Sequence, residues 1–157
     1  MFYTITLYAM IAPMKKILSI LVILLMANSA FAAKYSHYFE IDGEKILLEN
    51  AKTERDKIKG LANRPYIEEN TGMVFFYESQ SEQAFWMRNV NFPLDIIFMR
   101  ESKITRMYKN AKPCTTEICK IYTSKGLTDK VIELPAGFCK KHKLKKGNFI
   151  LVKELNE

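Results

Sequence analysis

Phe85-Trp86-Met87-Arg88-Asn89-Val90-Asn91-Phe92-Pro93-Leu94-Asp95-Ile96-Ile97-Phe98-Met99 is the stretch that decides how this chain folds. From Leu94 onward it reads as a strand, in which alternate side chains face opposite sides. Leu94, Ile96 and Phe98 share one face, and Asp95, Ile97 and Met99 share the other. Asp95 is therefore a carboxylate in an apolar layer, where leaving it unpaired costs on the order of several kcal/mol. Ala84–Met87 reads as a second strand. Asn89–Pro93 reads as a turn, because Asn tolerates positive φ and Pro fixes its own. The expectation is a hairpin in which Asp95 meets Arg88 or Arg64, with Asn89 and Asn91 as further partners.

The surrounding segments fit a mainly β domain. Asp42-Gly43 between Tyr38–Ile41 and Lys45–Glu49 is a hairpin signal. Thr53 is placed to cap a short helix that ends at Gly60, and Asn63-Arg64-Pro65 then breaks it. Gly72–Tyr77 is continuously apolar and reads as a central strand. Further strands are expected at Ile104–Tyr108, Lys130–Leu134 and Phe149–Val152, with one or two helical turns over Phe138–Leu144. Strands do not alternate with long helices, which argues against a parallel α/β sheet. The pattern predicts a single compact antiparallel β-sandwich or barrel-like domain with one or two short helices.

Ahead of this domain, Met14-Lys15-Lys16 precedes an apolar run from Ile17 to Ala27 and the small-residue end Ala30-Phe31-Ala32. That is the pattern of a cleavable signal peptide, and the run is too short for the roughly 20 residues of a membrane-spanning helix. The reading assigns residues 1–32 to the signal, with Met14 as the true start, and residues 33–157 to one domain. A periplasmic or secreted location follows, with no stable membrane insertion after cleavage. The chain carries 24 basic and 17 acidic residues. The leader removes only Lys15 and Lys16, so the exported domain stays basic. Its lysines are scattered apart from Lys140–Lys146, which reads as a solvated face and gives no nucleic-acid signature.

Five words occur in order along the domain: Gly60-Leu61-Ala62-Asn63-Arg64, Gly72-Met73-Val74-Phe75, Phe85-Trp86-Met87-Arg88-Asn89, Pro93-Leu94-Asp95-Ile96-Ile97-Phe98 and Glu133-Leu134-Pro135-Ala136-Gly137. Together they resemble the domain of unknown function 192 family, also called uncharacterised protein family 0127, over roughly Phe39 to Val152. The resemblance implies a mainly β, sandwich-like domain that is often exported or membrane-anchored, and it implies no activity. The chain departs from the family pattern at Ala62, Arg88, Val90 and Asn148. The last of these removes a carboxylate that the family usually carries there.

Cys114 and Cys119 in C-x4-C spacing suit a structural disulfide in an oxidising compartment rather than a C-x-x-C redox pair. Cys139 is left over, either as a buried apolar residue or as a reactive thiol. It lies three residues from His142, the spacing of one helical face, so a Cys–His nucleophile is the corresponding enzymatic reading. No P-loop, dinucleotide fingerprint or G-x-S-x-G elbow is present, and no cofactor is expected. His37 and His142 are the only histidines, and no zinc-ligand spacing occurs. Met73, Met87, Met99 and Met107 are soft donors in principle, but at strand spacing they read as core, so no metal site is assigned.

The favoured reading is a non-enzymatic domain that binds a small polar ligand or an extended peptide beside the Trp86–Asp95 hairpin. Arg64, Arg88, Asn89 and Asp95 would orient the ligand, and Trp86 and Met87 would pack on it. The alternatives are a cell-envelope hydrolase or thiol-dependent enzyme using Cys139 or Asp95, and an envelope assembly factor.

Overall fold

The computed structural model describes residues 34–155. The proposed signal segment lies outside the described residues. The described part is mainly β. Strands β1 (His37–Ile41), β2 (Glu44–Asn50), β3 (Thr71–Ser81), β5 (Leu94–Arg100), β6 (Lys103–Ala111), β8 (Thr128–Pro135) and β9 (Lys153–Glu154) form one sheet in the order β6-β5-β8-β3-β2-β1-β9. Two further strands, β4 (Ala84–Trp86) and β7 (Ile121–Thr123), pair only with each other. The helices are α1 (Glu54–Lys59) and α2 (Phe138–Lys141).

Local chemistry accounts for the early elements. Asp42 and Gly43 both take positive φ, 50° and 79°, which is what a two-residue turn matching strand twist demands. Thr53 Oγ1 accepts the Asp56 amide at 3.1 Å, while the Asp56 carboxylate accepts the Thr53 amide at 3.1 Å, so both ends of a capping box are present. Gly60 ends α1 with φ 48° and ψ −131°. The positive φ suits glycine, and the ψ lies outside the left-handed helical well.

The sheet is mixed, which corrects the expected all-antiparallel arrangement. β2 and β3 run parallel, from Leu47 opposite Thr71 to Asn50 opposite Val74. The reason is the connection: α1 and the loop after it form a crossover long enough to return the chain to the same end of the sheet. The large sheet does not close into a barrel. The chain after Gly147 reaches both of its edges without joining them by a ladder. The Ile150 amide donates to Ser102 O beside β6, and the Leu155 amide donates to Ser36 O beside β1. The expected strand at Phe149–Val152 is thus a single bridge from Phe149 to Lys103, followed by β9.

The central stretch divides differently from the expected hairpin. β5 pairs with β6 and β8, and β4 pairs with β7, so the two halves of the stretch sit in different sheets. β5 is buried on both faces, so its backbone N–H and C=O groups are out of water and need a ladder along each edge. β4 exposes Ala84 and Trp86 and buries Phe85, as a ribbon lying over a sheet does.

The alternation read from β5 holds. Ile97 and Met99 pack with Val74, Ile132, Leu134, Phe138 and Cys139 on one face of the sheet. Leu94, Ile96 and Phe98 pack with Met73, Phe75, Phe85, Met87 and Val131 on the other. On this second face, edge-to-face rings run from Phe75 to Phe85, Phe98, Tyr108 and Tyr122, with centroids 5.0 to 6.0 Å apart. Each such pair adds about 1 kcal/mol beyond area burial, and together they clamp the β4–β7 ribbon onto the sheet.

Candidate functional site

Two carboxylates sit inside apolar strands, and the pleat aims them at opposite faces. Asp95 on β5 is opposite Leu134, and Glu133 on β8 is opposite Ile96. Their fates differ. Asp95 is fully buried, and both its oxygens are taken by backbone. Oδ1 accepts the Asn110 amide at 2.7 Å and Oδ2 accepts the Cys139 amide at 2.8 Å. Its partner is therefore neither Arg64 nor Arg88, and it ties β5 to β6 and to the start of α2.

Glu133 is nearly as deep, at 4% exposure, but its Oε2 has no hydrogen-bond partner. Burial pushes this carboxyl up to about 8, against the opposing pull of the Arg64 guanidinium. Arg64 does not neutralise it, because Nη1 and Nη2 form a fork with Glu49 Oε1 and Oε2 at 2.5 and 2.7 Å.

Glu133 lies in a cavity of about 210 Å³. The buried part of the lining is Leu61, Phe75, Phe85, Val90 and Glu133. Tyr77 forms a half-buried side, and its hydroxyl is pushed up to about 12 by burial and by the nearby Glu133 and Glu54 carboxylates. Lys59, Trp86 and Arg88 are exposed and form the mouth. Gly60 stands beside the carboxyl: a Cβ there would lie 3.6 Å from Glu133 Oε2 and 3.6 Å from the Phe75 ring. The absent side chain leaves this approach open.

The residues expected to form a site are only partly brought together. Trp86 and Arg88 line the cavity. Arg88 also donates to Glu117 O at 2.9 Å, holding the loop that Cys114 and Cys119 close as a disulfide. Met87 is buried and lines a second hollow of about 360 Å³ with Tyr108 and Tyr122. Asn89 turns the chain at φ 59°, and its carbonyl accepts the Asn63 amide at 2.7 Å. Asn91 Nδ2 donates to Arg64 O at 2.9 Å, so the loop after α1 and the loop after β4 are stitched together. Asp95 and Arg64 are absent from the cavity lining. Cys139 is buried, and burial together with the Asp95 carboxylate holds its thiol far above the ordinary range. His142 turns to Asp42, Nδ1 to Oδ2 at 2.8 Å, and stacks on Phe138. Among the described residues no cluster of His, Cys, Asp or Glu could hold a metal ion. No described helix is long and apolar enough to cross a membrane.

A mixed-sheet β domain with a carboxyl-floored aromatic cavity is thus the class that fold and site define. The chain belongs to the domain of unknown function 192 family, described as Uncharacterized ACR, whose profile matches residues 37–152. Two solved structures are similar. One is a protein from Sinorhizobium meliloti 1021, provisionally described as a transcription regulator, with 23% identity, TM-score 0.66, and coverage of 78% of this chain and 95% of its own. The other is a protein of unknown function from Novosphingobium aromaticivorans DSM 12444, with 26% identity, TM-score 0.63, and coverage of 75% and 83%. No curated protein matches.

Proposed function

We propose that this is an exported binding domain that takes a small polar ligand in the cavity floored by Glu133 and walled by Phe75, Phe85 and Trp86. The observation that carries the reading is the unpartnered Glu133 Oε2. A buried carboxyl oxygen without a partner is destabilising, and such a group in a native fold calls for a function. Its setting is mostly apolar with a few polar groups, the usual make-up of a small-molecule site. Family words that are distant in sequence supply the lining: Gly60-Leu61, Phe75, Phe85-Trp86 with Arg88, and Glu133. Export is supported by the leader pattern and by the Cys114–Cys119 disulfide, which suits an oxidising compartment.

A ligand screen by thermal shift, with Trp86 fluorescence as a second readout, tests this. Trp86 is the chain's single Trp, so its emission reports on the cavity mouth alone. Stabilising ligands are expected to perturb Trp86 and to lose their effect in Glu133→Gln. Ligands that stabilise both proteins equally and leave Trp86 unchanged place binding elsewhere.

One observation favours an enzymatic second reading. A carboxyl held near 8 changes charge close to neutral pH, as a general acid–base does. On that reading Glu133 replaces Cys139 and Asp95 as the catalytic group. A bound ligand recovered chemically altered by the wild type but intact from Glu133→Gln favours it.

A further inference from the structure

The charges around the cavity differ between its floor and its mouth. The floor offers one acidic group, Glu133, with the Phe75 and Tyr77 rings in the same lining. Glu54 and Lys57 at the rim pair with each other at 2.8 Å and cancel. Lys59, whose charge also acts on Asp56 outside the lining, and Arg88, which donates to the neutral Glu117 carbonyl, remain, so the charged groups lining the mouth are net positive. The geometry points to a short zwitterion as the ligand: an organic ammonium at Glu133, with its anionic group held between Lys59 and Arg88. This inference rests on the cavity being the binding site and names what it binds.

Three features favour an ammonium over a neutral hydrogen-bonding group. The Arg64 guanidinium, whose charge acts on Glu133, is already committed to Glu49, so no described cation pairs with Oε2 and a ligand cation can. Aromatic faces stabilise a cation most strongly where water is excluded. The protein already seats one ammonium on this wall, Lys57 Nζ at 4.9 Å from the Tyr77 ring centroid. The groups facing Glu133 are otherwise Arg64, Tyr77 and the rim charges of Glu54, Lys57, Lys59 and Arg88.

Binding then has a proton balance. In the free protein near neutral pH the Glu133 carboxyl is mostly protonated. When the ammonium arrives, the Glu133 proton leaves to solvent and the carboxylate pairs with the ligand. Close to one proton is released per ligand bound.

Calorimetry at pH 7 in phosphate and in Tris, whose ionisation enthalpies differ, reads this directly. The probes are 4-aminobutyrate, butylamine and butyrate at millimolar concentration. 4-Aminobutyrate is expected to bind best, butylamine more weakly and butyrate not at all, with proton release for the first two. Glu133→Gln is expected to weaken 4-aminobutyrate by about tenfold or more and to abolish the release. Butyrate binding as well as butylamine, proton uptake, or no binding by any probe overturns the inference. A neutral or anionic ligand that needs Glu133 and perturbs Trp86 overturns it as well, yet leaves the binding site standing. If no ligand of any class depends on Glu133, both readings fall.

Discussion

Replacing Glu133 by Gln changes one atom and removes one buried ionisation. Burial pushes the wild-type carboxyl up to about 8 in the folded protein, from the 4.5 that is ordinary for a glutamate. A group whose folded value is raised contributes stability that is fully present below its unfolded value and is lost as pH rises through its folded value. For Glu133 the window runs from about 4.5 to about 8. The full shift corresponds to about 5 kcal/mol as an upper limit, since each unit is worth about 1.4 kcal/mol. The effective dielectric of a real protein interior lowers this figure, so a loss of at least ~2 kcal/mol is expected. At pH 5 both proteins hold a neutral side chain there, and their stabilities should be close. At pH 9 Glu133→Gln should be the more stable by about 2–5 kcal/mol. Urea unfolding at pH 5, 7 and 9 measures it, and the midpoints should separate by roughly 1–3 M at the highest pH. Taking the difference between the two proteins cancels the other titrating groups, including His37, whose value burial lowers. A stability difference that stays constant from pH 5 to 9 refutes the reasoning.

Other perturbations separate structural from functional groups. Asp95→Ala leaves the Asn110 and Cys139 amides without their acceptor and is expected to cost about 3–5 kcal/mol in chemical denaturation. Asp95→Asn keeps one acceptor and should cost less. Gly72→Ala would place a Cβ 2.5 Å from Glu133 O and 2.7 Å from Leu134 Cδ2, so a loss of about 1–3 kcal/mol is expected. Replacing Cys114 and Cys119 together by Ser opens a short loop, with an expected cost of about 2 kcal/mol and a matching drop under reducing conditions in the wild type.

Much of this was legible in the sequence, and what escaped it has a common cause. Local signals were sufficient for the Asp42-Gly43 turn, the Thr53 cap and the two-faced burial of β5, because each depends on neighbours a few residues away. Strand partners were not, because pairing is decided by tertiary packing. The word order suggested β4 against β5, whereas β4 found β7, a three-residue strand with little apolar pattern of its own. The two buried carboxylates show the same limit. Asp95 stood out among Leu94, Ile96 and Ile97, and its burial was foreseen. What satisfies it is backbone, and no side-chain inventory reveals a backbone amide from Asn110 or Cys139. Glu133 carried the same signal, a lone acid in Val131-Ile132-Glu133-Leu134, but it read as part of a strand ending at Pro135. Applying the Asp95 argument to it would have marked it as a buried carboxylate. The empty space beside it is a property of Gly60 and the β4–β7 ribbon, which only the fold brings near.

The rest depends on Glu133 being a buried carboxyl whose Oε2 has no hydrogen-bond partner among the described residues. Carbon-13 NMR of the Glu133 side-chain carboxyl, followed across pH and assigned with Glu133→Gln, tests it most directly. A midpoint near 8 that falls on addition of 4-aminobutyrate is the expected result. A midpoint near the ordinary 4.5, unmoved by any ligand, contradicts the account.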